Sequence, residues 1–159
     1  MIQLYWSPRS RSFSAIWLME ESGLPYERVL TDITTGAQKA PEFLKINAMG
    51  KVPALKDGDA ALGEAAAICA YVADRYPQTK LAPAPTDPLR AKYLQWLFFS
   101  PSCIEPALIQ IFTKIEVPTS TAAWGSATQV FDVLDAALEQ GPGFSGRNSR
   151  PPTSRSAQG

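Results

Sequence analysis

Three hydroxyl side chains stand near the start of the chain, where the sequence pattern changes from that of a strand to that of a helix. Tyr5 lies within the alternating apolar pattern of Ile2–Trp6, and Ser10 and Ser12 follow it. A serine just before a helical apolar pattern is typical of an N-cap. A hydroxyl at a helix N-terminus can also donate to an anion, which the helix dipole favours. The segment therefore predicts a capped helix start, an anion-stabilising site, or both.

A second group of candidate binding residues lies further along the chain. Lys51 is followed by Val52 and Pro53, which begin a predicted strand. Glu64 opens a predicted alanine-rich helix, where its carboxylate complements the helix dipole, and the N–H of Ala65 can bind an anion. Each feature also has an ordinary explanation as a solvated lysine, a strand-initiating proline or a helix-start glutamate.

The composition excludes several classes of catalysis. The chain of 159 residues contains no histidine, which removes Ser-His-Asp and Cys-His catalysis and every histidine-ligated metal site. Cys69 and Cys103 lie far apart in apolar surroundings and form no Cys-x-x-Cys pair. We therefore predict reduced core cysteines, with no disulfide, zinc site or dithiol redox pair, and no metal cofactor.

Charge balance and the absence of targeting signals limit the classes of partner and the cellular compartment that we predict. The 15 Lys and Arg residues balance the 15 Asp and Glu residues, so no net field attracts nucleic acid or an anionic membrane. The first residues lack the regions of a secretory signal, and no apolar run approaches membrane-spanning length. We predict a cytoplasmic protein with neither a nucleic-acid nor a membrane partner.

Hydrophobic periodicity predicts an α+β domain over residues 1–80. A β-α-β unit comes first, and its crossover connection implies parallel strands. Asp57-Gly58-Asp59 then predicts a tight turn between two antiparallel strands. The full order is β-α-β-α-β-β-α, at residues 2–6, 13–22, 26–30, 41–45, 52–56, 60–62 and 64–76.

The second half of the chain predicts a partial all-α domain over residues 89–142. Residues 81–88 are rich in proline and predict a short, stiff linker in front of it. Helical spacing extends over residues 89–115 and 121–140. Pro101 and Pro106 are expected to bend or split the first of these helices.

Several stretches resemble the glutathione S-transferase family. The family's glutathione-site signature resembles N-A-M-G-K-V-P-A-L at residues 47–55, together with residues 62–68 and Tyr-Pro at 76–77. Residues 4–12 and 93–99 resemble bacterial members. The resemblance implies a thioredoxin-like first domain followed by an incomplete all-α domain. It also implies a homodimer when the protein is fully folded.

The resemblance further implies that the protein binds glutathione as a substrate. In the family, a cis bond before Pro53 would expose the N–H and C=O of Val52 to the cysteinyl part of glutathione. Glu64 would hold the γ-glutamyl ammonium, and Lys51 would meet the glycine carboxylate. Ala65 stands where the family usually has serine, so only its backbone N–H is available to the γ-glutamyl carboxylate. We therefore expect weakened glutathione binding.

The implied reaction adds the glutathione thiolate to a small electrophile, for which the helical domain begins an apolar pocket. Lowering a thiol pKa from about 8.5 to about 6.5 takes roughly 2.7 kcal/mol, which a helix N-terminus and one hydroxyl can supply. Ser10 falls where serine-type members place their donor. Ser12 lies near the position of the bacterial cysteine type, and Tyr5 lies where tyrosine-type members place theirs. We rank the donors in that order.

Two other functions stay open from the sequence. One is a non-catalytic binding module of the same fold. The other is a thiol-disulfide oxidoreductase, which the absence of cysteine between Ser7 and Phe13 disfavours.

The composition changes abruptly after Gly141 to glycine, proline, serine and arginine, which predicts a disordered tail over residues 143–159. A one-base change of reading frame near Pro142, with permitted codons, rewrites the tail as W-L-L-G-S-E-F-S-A-A-D-V-A-L-G-S-G. This restored sequence resembles the sequence that follows Gly-Pro in the family, and it contains an S-x-x-D capping box. Our hypothesis is the loss of one base near Pro142, which shifts the reading frame and leaves a truncated and inactive or weakly active product.

Overall fold

The computed structural model describes residues 1–139 of the chain. It divides into two compact units, the first at Met1–Asp87 and the second from Pro88 onward. The predicted disordered and frameshifted tail, residues 143–159, lies outside the described residues, and so does the end of the second predicted helix.

The first unit contains four strands and three α-helices. They are β1 (Ile2–Trp6), α1 (Ser12–Ser22), β2 (Tyr26–Leu30), α2 (Pro41–Leu44), β3 (Ala54–Asp57), β4 (Ala60–Gly63) and α3 (Ala65–Arg75). The strands form one mixed sheet in the order β2-β1-β3-β4. β1 is parallel to β2, and β3 is antiparallel to both β1 and β4. The predicted α+β, thioredoxin-like order β-α-β-α-β-β-α is confirmed.

The alternation along β1 determines which face of the sheet is covered. Ile2 and Leu4 are buried, because α1 and α3 pack against their side of the sheet. The core of the first unit consists of Ile2, Leu4, Ala15, Met19, Leu55, Ile68 and Val72. Gly23 ends α1 at the predicted position, in a left-handed conformation with φ of 64°. The core therefore fixes α1 and α3 on the same sheet face.

The second unit is helical over its described residues. It contains α4 (Arg90–Phe99), α5 (Glu105–Thr113) and α6 (Ala127–Glu139). The predicted long helix is split by a π-helical segment, Ser100–Ile104, in which the N–H of Glu105 donates to the carbonyl of Ser100. Pro101 lies in this segment and Pro106 lies in the first turn of α5, and both lack the N–H group that a regular helix would use. Among residues 1–139, no helix combines the length and the hydropathy that crossing a bilayer requires.

The predicted start of α6 at residue 121 is wrong. The helix begins at Ala127. Gly125, with φ of 76°, stops helical geometry just before it. Ser126 and Gln129 then form a reciprocal cap: the N–H of Gln129 donates to Ser126 Oγ at 3.2 Å, and the N–H of Ser126 donates to Gln129 Oε1 at 3.1 Å. This capping box outweighs the apolar spacing upstream of it.

A carboxylate beside the hairpin turn ties the end of α3 to the sheet. The hydroxyls of Tyr71 and Tyr76 donate to Asp57 Oδ2 at 3.0 and 2.6 Å. The hydrogen bond to Asp57, followed by burial, raises the pKa of Tyr76. Burial, followed by the hydrogen bond to Asp57, raises the pKa of Tyr71. The two protonated tyrosines therefore contribute to stability.

We expect the free energy of unfolding to fall as the pH rises above about 10, because the folded state holds these protons more tightly than the unfolded chain. The contribution is complete below the ordinary tyrosine pKa and is lost as the pH passes the raised value. Tyr76→Phe should lower stability at neutral pH by about 1 kcal/mol and reduce the alkaline loss. Urea unfolding of both proteins at neutral and alkaline pH measures this. An equal alkaline loss in the variant would contradict the assignment.

Candidate functional site

The strand register brings the candidate residues to one edge of the sheet. Tyr5 of β1 pairs with Ala54 of β3, and Ala54 pairs with Gly63 of β4. Beyond this row, β1 leads into the serine-rich turn, Pro53 precedes β3, and Glu64 follows β4. Neighbouring strands lie about 4.8 Å apart, so this edge spans about 10 Å from β1 to β4. That span is about the length of one extended tripeptide.

Ser7, Ser10 and Ser12 are joined by hydrogen bonds in the turn between β1 and α1. Ser10 Oγ donates to the carbonyl of Ser7 at 2.7 Å and accepts the N–H of Ser12 at 3.2 Å. The hydroxyl oxygens of Ser10 and Ser12 lie 2.7 Å apart, and the N–H of Ser7 donates to Ser12 Oγ at 3.3 Å. Ser12 is the first residue of α1 and is fully buried, whereas Ser10 is half-buried. Ser10 therefore caps the first turn and is the more accessible hydroxyl.

These contacts determine where the hydroxyl protons point. Because Ser10 donates its single proton to the Ser7 carbonyl, the hydroxyl of Ser12 donates to Ser10. Ser12 has then used its proton and also accepts the N–H of Ser7. Ser10 can reach an anion by rotating its O–H away from Ser7, and this rotation leaves both Ser12 contacts intact. The turn can thus provide one hydroxyl donor, supported by a second hydroxyl behind it.

Tyr5 is directed away from the serine turn. Its ring packs edge-on against Phe43 of α2, with 5.7 Å between ring centroids. Its hydroxyl lies 3.5 Å from Gln3 Oε1, towards the start of β1. Burial, with a smaller contribution from the charge of Glu27, raises the pKa of Tyr5. The structure therefore brings Ser10 and Ser12 together but places the Tyr5 hydroxyl elsewhere.

The chain before β3 presents main-chain groups at the same edge. The Val52–Pro53 peptide bond is cis, and β3 begins at Ala54 rather than at the predicted Val52. Within residues 1–139, the N–H and C=O of Val52 have no hydrogen-bond partner. Lys51 is exposed, and the Lys39 ammonium lies nearby, donating to the carbonyl of Met49 at 3.0 Å. Two lysines therefore lie close to this free stretch of main chain, and Lys39 was not among the predicted residues.

Glu64 and Ala65 form the third part of the edge. Glu64 is exposed and has φ of 61° and ψ of 115°, which a residue with a Cβ adopts only at a cost of about 1–3 kcal/mol. No side chain caps α3, whose first intrahelical bond runs from the N–H of Ile68 to the carbonyl of Glu64. The N–H groups of Ala65 and the next two residues therefore point out of the helix start, where an anion is favoured.

The two cysteines do not contribute to this edge. Cys69 lies within α3 and Cys103 lies in the π-helical segment, and neither forms a disulfide. Burial raises the pKa of the Cys69 thiol, which favours its protonated form.

Asn47 and Gly63 also belong to the site, although no role was predicted for either. Asn47 Nδ2 donates to the carbonyl of Lys51 at 2.8 Å, and its carboxamide lies directly against Gly63. An asparagine shortly before a glycine favours a turn, so the sequence could have predicted the turn at Asn47. The contact with Gly63 is distant along the chain, so no local pattern predicts it.

Comparison with known proteins shows the family to which the chain belongs. The family model described as "Glutathione S-transferase, N-terminal domain" matches residues 2–74. The disulfide-bond oxidoreductase YfcG of Escherichia coli (strain K12) is 31% identical over 161 residues, covering 93% of this chain and 74% of the relative. A crystal structure of glutathione transferase URE2P8 from Phanerochaete chrysosporium, with oxidized glutathione, is 30% identical with a TM-score of 0.74 and covers 92% of this chain and 71% of that chain. The chain belongs to the glutathione S-transferase family.

The chain is also similar to a plant member of the family. Glutathione S-transferase 3 of Zea mays is 34% identical over 143 residues, which cover 84% of this chain. The match spans 64% of the maize protein's length. The family assignment and the thioredoxin-like fold thus agree with the sequence resemblance.

The serine turn generates a stability prediction. Ser12→Ala should lower the free energy of unfolding by about 1–3 kcal/mol, because it leaves the buried N–H of Ser7 without an acceptor. Ser14→Ala is the matched control, since Ser14 is exposed on the same helix, and its change should stay within about 0.5 kcal/mol. Denaturant unfolding of both variants provides the comparison. If Ser12→Ala costs no more than Ser14→Ala, the buried network does not stabilise the turn.

Proposed function

We propose that the protein binds glutathione in its first unit and adds the glutathione thiolate to a small electrophile. The observation that carries the proposal is the meeting of the serine turn, the free main chain of Val52 and the start of α3 at one edge about 10 Å wide. We call these three regions stations. Glutathione is an extended tripeptide with a thiol in its middle residue, so its thiol, its cysteinyl main chain and its γ-glutamyl group match the three stations in that order.

Charge and hydrogen-bonding capacity assign each part of glutathione to a station. The Glu64 carboxylate pairs with the γ-glutamyl ammonium, and the open N–H groups at Ala65 donate to the neighbouring carboxylate. The free N–H and C=O of Val52 pair with the cysteinyl main chain in the manner of an added strand. Lys51 and Lys39 attract the glycine carboxylate at the other end.

Thiol activation in this proposal needs no protein base, and the chain contains no histidine to act as one. The thiol proton leaves to water, and Ser10 turns its O–H from the Ser7 carbonyl to the sulfur anion. The Ser12 hydroxyl donates to Ser10 throughout, which strengthens Ser10 as a donor. The thiolate then forms the S–C bond. In an addition the electrophile takes a proton from water, and in a displacement the leaving group departs with the bonding electrons.

The strained backbone of Glu64 supports a binding role for this residue. A conformation that costs about 1–3 kcal/mol is retained where the surrounding structure requires it, and such residues cluster at ligand sites. Here the conformation joins the end of β4 directly to α3 and leaves the carboxylate exposed at the edge. The fold therefore accepts a cost in stability at Glu64, and we interpret this cost as support for a binding role.

The Escherichia coli relative favours a second candidate reaction, disulfide exchange with glutathione supplying both thiols. One glutathione thiolate would attack a substrate disulfide, forming a mixed disulfide and releasing one substrate thiolate. A second glutathione thiolate would attack the mixed disulfide, giving oxidized glutathione and the other substrate thiolate. This route needs no protein cysteine at the site, so the absence of cysteine between Ser7 and Phe13 does not exclude it.

Ser10→Ala distinguishes catalysis from simple binding. We expect the variant to bind glutathione with nearly unchanged affinity, to raise the pKa of the bound thiol and to slow conjugation at least tenfold, because the hydroxyl acts on the charged form. Thiolate absorbance against pH, calorimetric titration and a conjugation assay measure the three quantities. A wild-type complex whose thiol pKa equals that of free glutathione would instead identify a non-catalytic binding module.

Glu64→Gly separates binding from backbone strain. The variant should bind glutathione about tenfold more weakly, since the γ-glutamyl ammonium loses its carboxylate. It should nevertheless be no less stable than the wild type, because glycine adopts φ of 61° without strain. Glu64→Gln is the control that keeps the strain and removes only the charge. Unchanged affinity in both variants would reduce Glu64 to a helix-start residue.

A further inference from the structure

Asn47 is the centre of the turn that leads into β3. Its Nδ2 donates to the carbonyl of Lys51 at 2.8 Å, and its Oδ1 accepts the N–H of Met49 at 3.1 Å. Its own carbonyl accepts the N–H of Gly50 at 2.8 Å. Because one end of the carboxamide must donate and the other must accept, only one orientation of the amide satisfies both partners.

The same carboxamide lies against the main chain at the end of β4. A Cβ on Gly63 would lie 2.5 Å from Asn47 Nδ2 and 2.9 Å from its Cγ. Contacts this short do not occur between real side chains. Gly63 therefore provides the space into which Asn47 packs, and it directly precedes Glu64.

The bond to Lys51 also orients Val52. The carbonyl of Lys51 and the N–H of Val52 belong to one planar peptide group and point in opposite directions. When Asn47 holds the Lys51 carbonyl, it also fixes the direction of the Val52 N–H. One side chain is thus joined to both main-chain segments, with Val52 after one contact and Glu64 after the other.

We propose that Asn47 is a positioning residue that sets the distance and orientation between the Val52 main chain and Glu64, so that one ligand can contact both. This inference rests on the proposed glutathione site. Asn47 does not touch the ligand; it acts through the Lys51–Val52 peptide group and through Gly63. Loss of its carboxamide lets the two stations move relative to each other, and the cysteinyl thiol then shifts relative to Ser10.

A double-mutant cycle on the full chain tests this role. Asn47→Ala should weaken glutathione binding roughly five- to tenfold, the range of one net hydrogen bond. Gly63→Ala should weaken it similarly, because the new Cβ displaces the carboxamide. In the double variant the space is already empty, so Gly63→Ala should add little to the loss from Asn47→Ala. Gln78→Ala is the control, since Gln78 is exposed and outside the site.

The readouts separate positioning from folding. In Asn47→Ala saturated with glutathione, the pKa of the bound thiol should rise, and a purely structural role would not move it in a saturated complex. Thermal unfolding is measured for every variant, and Asn47→Asp, which keeps the volume and the acceptor for Met49, replaces any variant that does not fold. Losses that multiply in the double variant, or an unchanged affinity and thiol pKa in Asn47→Ala, would overturn the proposal. Absence of glutathione binding by the wild type would instead refute the proposed function itself.

Discussion

The row of paired residues Tyr5, Ala54 and Gly63 is the constraint on which the candidate site depends. Side chains alternate along a strand, so a shift of one residue in this register would turn Leu4 and Leu55 out of the core. Burial of those side chains therefore also fixes where the chain leaves each strand. The exits of β1 and β4 and the entry to β3 then lie side by side, within the length of one tripeptide. Core packing and ligand spacing are consequences of the same register.

The second feature of the candidate site is that hydroxyl and N–H donors face a ligand, while the chain has no histidine. A turn of serines places one half-buried hydroxyl in front of one fully buried hydroxyl, and their hydrogen bonds leave only Ser10 able to turn to a ligand. In the proposed site, the open start of α3 and the two lysines supply positive potential for the anionic groups of the ligand. The Glu64 carboxylate is exposed at this edge, where we propose that it pairs with the ammonium group of the ligand. The proposed reaction thus depends on several weak groups rather than on one strong base.

Local sequence patterns predicted much of this arrangement. The alternation in β1, the helical spacing of α1 and the Asp57-Gly58 turn determine the element order, because each is a short-range signal. The start of α6 was also encoded locally, in the Ser126 and Gln129 pair, but apolar spacing upstream suggested an earlier start.

Other features depend on contacts between distant residues or on tertiary geometry. The packing of Asn47 on Gly63, the burial of Ser12 and the positive φ of Glu64 are of this kind. Sequence reasoning named Ser10, Ser12, Glu64 and Val52 through the family resemblance. It could not show which hydroxyl was accessible.

The most direct test of the central claim is an NMR titration of the isotopically labelled full chain with glutathione. Each backbone amide reports its own surroundings, so the spectra show whether the three stations respond to one ligand. The account predicts that the amides of Ser12, Val52 and Ala65 shift together along one saturable curve, while amides at the opposite end of the sheet, such as Asp57, stay in place. No saturable shift, or shifts confined to one station, would contradict the account.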